Sequence, residues 1–436
     1  MITTKKQAED LIYRSYMLVG RRLDYNAPDS EKRHPEYTRT VIRQLDERCG
    51  AKNILVTGSK GKGSVSVMIN DILRAHGKNT GLLTSPHIFD FNERIRLNGV
   101  PIPDEELIKH CDRLAPTLEL MDITIGEREY ISPVAVQVMA ALLHFYGKTD
   151  YNIFECGKGV LYDDVNNLGR EYSVINTIFE EHTRELGGGL EEIAFDKSHI
   201  IVGGQKCAYS AQQTPKVCEI LEKRAADCGV VLKTYGRDFY CENIVLSENG
   251  TDFDAVTPKN RYEKLHIPLL GEHQARNFAL ALCVCEDILG NTDKEKTALA
   301  ARSIVWRGRL EIISRSPLTV ADCCINGISA AFIKPILEKI KRTSLAAVLA
   351  VPADKDYRGV AREISDIADK IIFTRLQNPH YKFDRAQADC VRGGVFADDM
   401  GAAARLAAKS ADTVCILGTA AMLREIEGYD EAIHIF

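Results

Sequence analysis

Short apolar runs ending in polar or glycine residues recur along the chain, and they alternate with stretches whose apolar positions return every three or four residues. Runs of the first kind are "NILVT" from Asn53, "TGLLTS" from Thr80, "YNIFEC" from Tyr151, "SVINTI" from Ser173 and "HIIVGG" from His199. Strands buried on both faces of a parallel sheet have this unbroken apolar character. After the first run, Val65, Met68, Ile69, Ile72 and Leu73 share one face of a helix. The alternation predicts an α/β fold with a mainly parallel sheet.

From Asp238 to Leu270 the pattern is choppier, and "SENGTDF" reads as a hairpin, so antiparallel strands are expected there. A helix is expected from about Gln274 to Leu289. The polar stretch Leu289–Arg309 then places a domain boundary near Arg302, giving 1–301 and 302–436. Beyond it, "LEII", "LTVADCC", "LAAVLAV", "KIIFTRL" and "DTVCILG" predict five strands of a smaller doubly wound domain.

Composition narrows the class. The 436 residues are 45% apolar and 27% charged, normal for a globular chain with two or three domains. A formal charge of -5 supplies no basic excess for nucleic acid. No apolar run approaches the roughly 18 residues of a membrane span. The opening "MITTKKQAEDLIYRS" has lysines but no apolar core, so no secretory leader is expected. Thirteen cysteines without a CxxC pair read as reduced, partly buried thiols of a cytoplasmic protein.

The candidate chemistry begins after "NILVT". Gly58, Ser59, Lys60, Gly61, Lys62, Gly63 and Ser64 join that strand to a helix. Small residues let backbone N–H groups curl round an anion at a helix N-terminus. Lys62 would reach terminal phosphates and Ser64 would offer a hydroxyl to magnesium. Gly58 to Gly61 is tighter than the common phosphate loop, which makes this a variant.

"VTGSKGKGS" followed by "LLTSPHIFDFNERIRLNGVPI" resembles folylpolyglutamate synthases of the Mur ligase superfamily, which carry GTNGKGS, TSPHL and F-x-E-R-I-R-x-N-G. "FECGKG", "EEHTRELGGGLEEIAFDKSHII", "LLGEHQARNFALAL", "WRGRLEII" and "VPADKDYRGV" resemble further family segments in the family's order, from about Asn53 to Thr419. The resemblance implies a P-loop ATPase domain and a Rossmann-like C-terminal domain. It implies joining of a carboxylic acid to an amino acid or amine through an acyl phosphate, with ATP consumed. Small-molecule substrates are the expected partners, with no nucleic acid and no membrane.

Carried over by position, the resemblance makes Ser64, Ser85, Glu155 and His182 magnesium ligands or their neighbours, with a second ion beside the imidazole. Lys197 matches a lysine that carbon dioxide carbamylates, so Lys62, Lys197 and His182 are the expected catalytic groups. Asn277 matches an adenine contact, Arg309 an arginine reaching the phosphates, and Asp322 a strand-end aspartate; Lys355 and Asp356 lie on a charged loop.

Three departures bear on substrates. Ile325 stands where the family has a histidine tied to the incoming amino acid, although Thr419 supplies the accompanying hydroxyl. Leu161 replaces an arginine, while Asp163 and Asn166 persist, and Glu180 and Glu181 add carboxylates before His182. The expectation is the same ligase chemistry on altered substrates. The competing readings are folylpolyglutamate or dihydrofolate synthesis itself, a non-catalytic ATP-binding relative, and a kinase stopping at the acyl phosphate. Survival of the phosphate and metal groups disfavours the non-catalytic relative, and the C-terminal resemblance disfavours the kinase.

Overall fold

The computed structural model describes residues 1–20, 22–24, 27–126 and 129–427. The protein is α/β. Its first sheet contains β1 (Lys52–Thr57), β2 (Thr80–Leu83), β3 (Ile95–Leu97), β4 (Val100–Pro101), β5 (Tyr151–Glu155), β6 (Tyr172–Ile175), β7 (Cys207–Ser210) and β8 (Leu232–Thr234). Their order is β4-β3-β2-β5-β1-β6-β7-β8. All neighbours from β2 to β8 pair in parallel, and β3 and β4 add antiparallel pairs at one edge.

The unbroken apolar run of β1 has a direct cause. Ile54 and Val56 join the apolar cluster that includes the Lys62–Ala75 helix, whereas Leu55 joins the cluster on the opposite face. Both faces are therefore roofed by helices, as a central parallel strand requires. The Lys62–Ala75 helix buries its expected face and, in addition, Ser66, Val67 and Asn70. The Glu272–Leu289 helix packs against it and removes a second side from water.

"HIIVGG" is not a strand. It follows the Leu190–Ser198 helix as a loop with Ile200 and Ile201 wholly buried. Its acceptors are satisfied by side chains instead of a ladder: Ser173 Oγ donates to Ile200 O (2.6 Å) and Arg224 Nε to Ile201 O (3.1 Å). The strand comes next, as β7. Apolar content alone could not separate a buried loop from a buried strand.

The choppier middle forms an antiparallel sheet of β9 (Tyr240–Ser247), β10 (Gly250–Val256) and β11 (Arg261–Ile267), with the β9–β10 turn at Glu248 and Asn249. A third sheet holds β12 (Glu311–Arg315), β13 (Leu318–Asp322), β14 (Leu345–Ala350), β15 (Lys370–Thr374), β16 (Val395–Ala397) and β17 (Thr413–Gly418), in the order β12-β13-β17-β14-β15-β16. The five expected strands are present, and β16 is a short sixth on the edge. β12 runs antiparallel to β13, and the remaining pairs are parallel. We propose the division near Arg302 as the boundary between the two α/β units, because the Lys294–Arg302 helix ends there, ahead of β12.

Candidate active site

The turn after β1 is shaped by Asn176, the residue that follows β6. Gly61 begins the Lys62–Ala75 helix at φ 76°, and a Cβ there would lie 2.2 Å from Asn176 Nδ2. At Gly58, φ is 139° and a Cβ would come within 2.8 Å of Asn176 Cβ. Positive φ and this close approach exclude any side chain at either position. Ser59 ties the turn to the same region: its Oγ donates to Phe179 O (3.0 Å) and accepts from Phe179 N (3.1 Å).

A cavity of about 290 Å3 opens beside this turn. Ser59 through Ser64, Ser85, Glu155, Asn277, Arg309 and Asp322 all line it. The first sheet contributes its strand ends at β1 and β5, and β13 contributes Asp322 from the third sheet. Ligands of open α/β sheets collect at such carboxyl ends.

Glu155, the last residue of β5, is wholly buried, and burial holds its carboxyl above the usual range against the pull of Lys62. Its Oε2 accepts from Ser85 N (2.9 Å). Ser64 Oγ is buried and has no hydrogen-bond partner among the described residues. An unpartnered hydroxyl and a buried carboxylate on one cavity form an oxygen donor set that fits a hard divalent cation. Asp322 is also raised by burial, opposed by Arg309 and Lys60, and its Oδ2 accepts from Leu310 N (2.9 Å).

Lys62 Nζ donates to Gly58 O (3.0 Å), and Lys197 Nζ donates to the same carbonyl (3.2 Å) and to Lys158 O. Lys197 has no exposed surface. Burial, reinforced by Lys62, brings its ammonium down from 10.5 to about 8. Glu181 Oε1 lies 3.5 Å from Lys197 Nζ, so this added carboxylate faces a buried cation and is partly compensated. His182 is exposed at the start of the short Thr183–Leu186 helix, 4.0 Å from Glu181, and lies outside the lining of the cavity.

Asn277 Oδ1 accepts from Asn176 Nδ2 (2.9 Å), and its own Nδ2 donates to Gln274 Oε1 (3.1 Å). Asn176, Phe179, His273 and Phe332 also line the cavity, and sequence reasoning missed all four. For Asn176 a signal existed, since it ends the strand beside β1. Phe179 and Phe332 meet across the cleft with ring centroids 5.9 Å apart. Burial lowers His273 to about 4, which keeps its ring neutral.

Other expected positions serve the scaffold. Asp356 accepts from Gly327 N and Gly359 N (each 2.9 Å), capping its own Tyr357–Ser365 helix and bracing the start of the preceding Gly327–Ile340 helix. Lys355 pairs with Asp354 (3.2 Å). Leu161 lines a separate groove with Arg39, Arg43 and Arg170. Asp163 accepts from Gly157 N and Val165 N, and Asn166 Oδ1 accepts from Arg170. Ile325 packs against the apolar cluster of the third sheet, and Thr419 Oγ1 is buried without a partner among the described residues.

A larger groove of about 920 Å3 adjoins the cavity and shares Pro86 with it. Ile88, Phe89, Glu93, Arg96, Trp306 and Arg307 are among its walls. Arg96 stacks over Trp306 (5.4 Å) and Arg307 over Phe89 (5.0 Å).

Comparison with known proteins agrees with this arrangement. The family described as the Mur ligase middle domain matches residues 105–285. The folylpolyglutamate synthase of Lacticaseibacillus casei is 30% identical over 329 residues, covering 72% of this chain and 74% of that one. The dihydrofolate synthase/folylpolyglutamate synthase of Bacillus subtilis (strain 168) is 28% identical over 334 residues, covering 74% and 76%. The folylpolyglutamate synthase of Mycobacterium tuberculosis, solved in complex with ADP and AMPPCP, superimposes with a TM-score of 0.83 at 24% identity, over 90% of this chain and 95% of that one.

Fold and site together define a Mur-type ligase, an enzyme that forms an amide at the expense of ATP and releases ADP. Within that class, the chain belongs to the folylpolyglutamate synthase family.

Proposed function

We propose that ATP lies in the 290 Å3 cavity with its phosphates on the Gly58–Ser64 turn, and that the acid substrate occupies the adjoining groove. The observation that carries this is the cavity's double lining, with Lys62, Ser64 and Glu155 from one side and Arg309 and Asp322 from the other. The groove offers aromatic walls with guanidinium groups stacked on them, which suits an acid with a flat ring.

The acid's carboxylate oxygen attacks the γ-phosphorus as the β–γ bridging bond breaks, giving an acyl phosphate and ADP. The amine then forms a bond to the acyl carbon, the carbon–oxygen bond to phosphate breaks, and the amine loses a proton. Lys62 and Arg309 neutralise the transferred group, because phosphoryl transfer asks mainly for positioning and charge compensation. Mg2+ would be held by Ser64, Ser85 and Glu155 and supplies further charge compensation when bound. Lys197, whose buried amine is easily neutralised, is the group we assign to carbamylation, which would turn a donor into a carboxylate ligand for a second ion near His182.

The substrates depart from the folyl acid and glutamate of the family's named members: Ile325 can neither donate a hydrogen bond nor take up a proton. The relatives' names favour a second reading, folate polyglutamylation itself. We place the enzyme's work on small molecules in the cytoplasm, a reading supported by its thirteen free thiols.

Incubation with ATP, magnesium and a panel of acids and amines, followed by phosphate release and amide mass, tests all of this. Release that needs both an acid and an amine supports the ligase reading. Release with acid alone would make it a kinase, and the best turnover with pteroate-type acids and glutamate would overturn the altered-substrate reading.

A further inference from the structure

Away from the nucleotide, two helices place a second set of metal-ligating groups together. Glu106 and His110 are four residues apart in the Asp104–Thr124 helix, hence on one face, and His144 comes from the Pro133–Phe145 helix packed beside it. One ligand atom from each lies within 4.8 Å of the other two. His110 Nε2 is 3.3 Å from Glu106 Oε2, and His144 Nδ1 is 3.9 Å from the same oxygen.

The polar inventory here is incomplete. His110 and His144 are only 5% and 4% exposed. Both nitrogens of His110 and Nδ1 of His144 are buried with no hydrogen-bond partner among the described residues. Leaving such groups unsatisfied is costly, and a bound ligand would relieve it.

The geometry points to a site for one zinc-like divalent cation held by Glu106, His110 and His144, pinning the two helices together. A tetrahedral ion with ligands at about 2.0–2.1 Å sets its ligand atoms about 3.3 Å apart, so the 3.3 Å pair already fits, while the 3.9 Å pair and the imidazole pair, within 4.8 Å, close up as the side chains turn onto the ion. The two glutamate oxygens divide their tasks: Oε1 accepts from Lys109 Nζ (2.9 Å), and Oε2 faces the imidazoles. A hydrogen bond to the outer oxygen orients a carboxylate ligand. Glu106 is partly exposed, so the ion can reach the site from solvent and water can complete its shell. Two imidazoles and a carboxylate suit Zn2+ and its neighbours better than Mg2+ or Ca2+, which prefer oxygen.

The test uses the full-length chain stripped with a chelator and titrated with Zn2+ alone. One equivalent is expected to bind and to raise the melting temperature, and Co2+ in its place should give intense visible absorption of tetrahedral type. Glu106→Gln and His144→Gln should each weaken Zn2+ binding at least tenfold and abolish the thermal shift, while ATP-dependent turnover is unchanged. Glu106 sits at the rim, so its variant remains a fair test even where His144→Gln fails to fold. No Zn2+ binding by the folded wild type overturns the site. Binding that survives Glu106→Gln unchanged also overturns it, since the ion would then be held elsewhere, for instance by the thiols.

Discussion

At the scale of single residues, the proposed chemistry turns on two lysines that share the Gly58 carbonyl. Lys62→Ala removes the cation placed over the phosphate turn and should lower turnover about a hundredfold or more, with the melting temperature little changed, as steady-state kinetics and a thermal melt will show. Lys197 is the subtler case. With its ammonium at about 8, roughly a tenth of the amine is neutral at pH 7, against a few parts in ten thousand at 10.5. Intact-protein mass in bicarbonate should therefore gain about 44 Da, the mass of carbon dioxide, in the wild type and not in Lys197→Met. The same shift affects stability. Between about 8 and 10.5 the unfolded chain binds more protons than the folded one, so Lys197's contribution makes stability rise with pH across that window. Below pH 8 both states carry the charge and its burial is felt in full. Denaturant melts at several pH values should show a steeper rise for the wild type than for Lys197→Met.

At the scale of elements, the glycine turn was legible from its own residues, while the strand-end Glu155 and the β13 aspartate, which also line the cavity, were reached only through the family resemblance. Asn176, Phe179, His273 and Phe332 were not, since they reach the cavity only after β6, the Glu272–Leu289 helix and the Gly327–Ile340 helix are folded together. The "HIIVGG" segment failed for a related reason, its carbonyls being taken up by Ser173 and Arg224 from distant parts of the sequence. Leu161 shows the limit of carry-over by position, because it lies in a groove separate from the nucleotide cavity and its replacement of arginine leaves that cavity's lining untouched. Asp356, read from its neighbours as one of a pair of loop charges, is instead a cap: it accepts from Gly359 N at its own helix and from Gly327 N at the start of the preceding one. An N-cap loss costs about 1 kcal/mol, and a second backbone donor is stranded here. Asp356→Ala should thus lower stability by about 2 kcal/mol in denaturant melts, with Asp356→Asn restoring part of it.

At the scale of the whole molecule, the proposed function has two α/β units meeting over one nucleotide, and the junction between them carries its own reporter. Trp306 is the chain's one tryptophan. It lies in the segment between the Lys294–Arg302 helix and β12, under the phosphate turn: a Cβ on Gly63 would come 2.7 Å from its ring, and Arg96 stacks on it. Its Nε1 is buried without a partner among the described residues. Any movement of the third sheet toward the turn must change what surrounds this indole, and domain closure over ligands is the usual way such enzymes assemble a site. Titration with AMPPCP and magnesium should saturably shift or quench the emission excited at the red edge, where the indole absorbs and the 16 tyrosines hardly do. On the proposed reading Arg309, three residues on and lining the same cavity, couples nucleotide to closure. Arg309→Ala should keep the fold, raise the ATP concentration needed for half-maximal turnover about tenfold or more, and shrink the Trp306 response at saturating nucleotide. Loss of turnover with the full fluorescence change intact would instead place Arg309 in the chemical step alone, and closure would then have to be driven by the turn and Asp322.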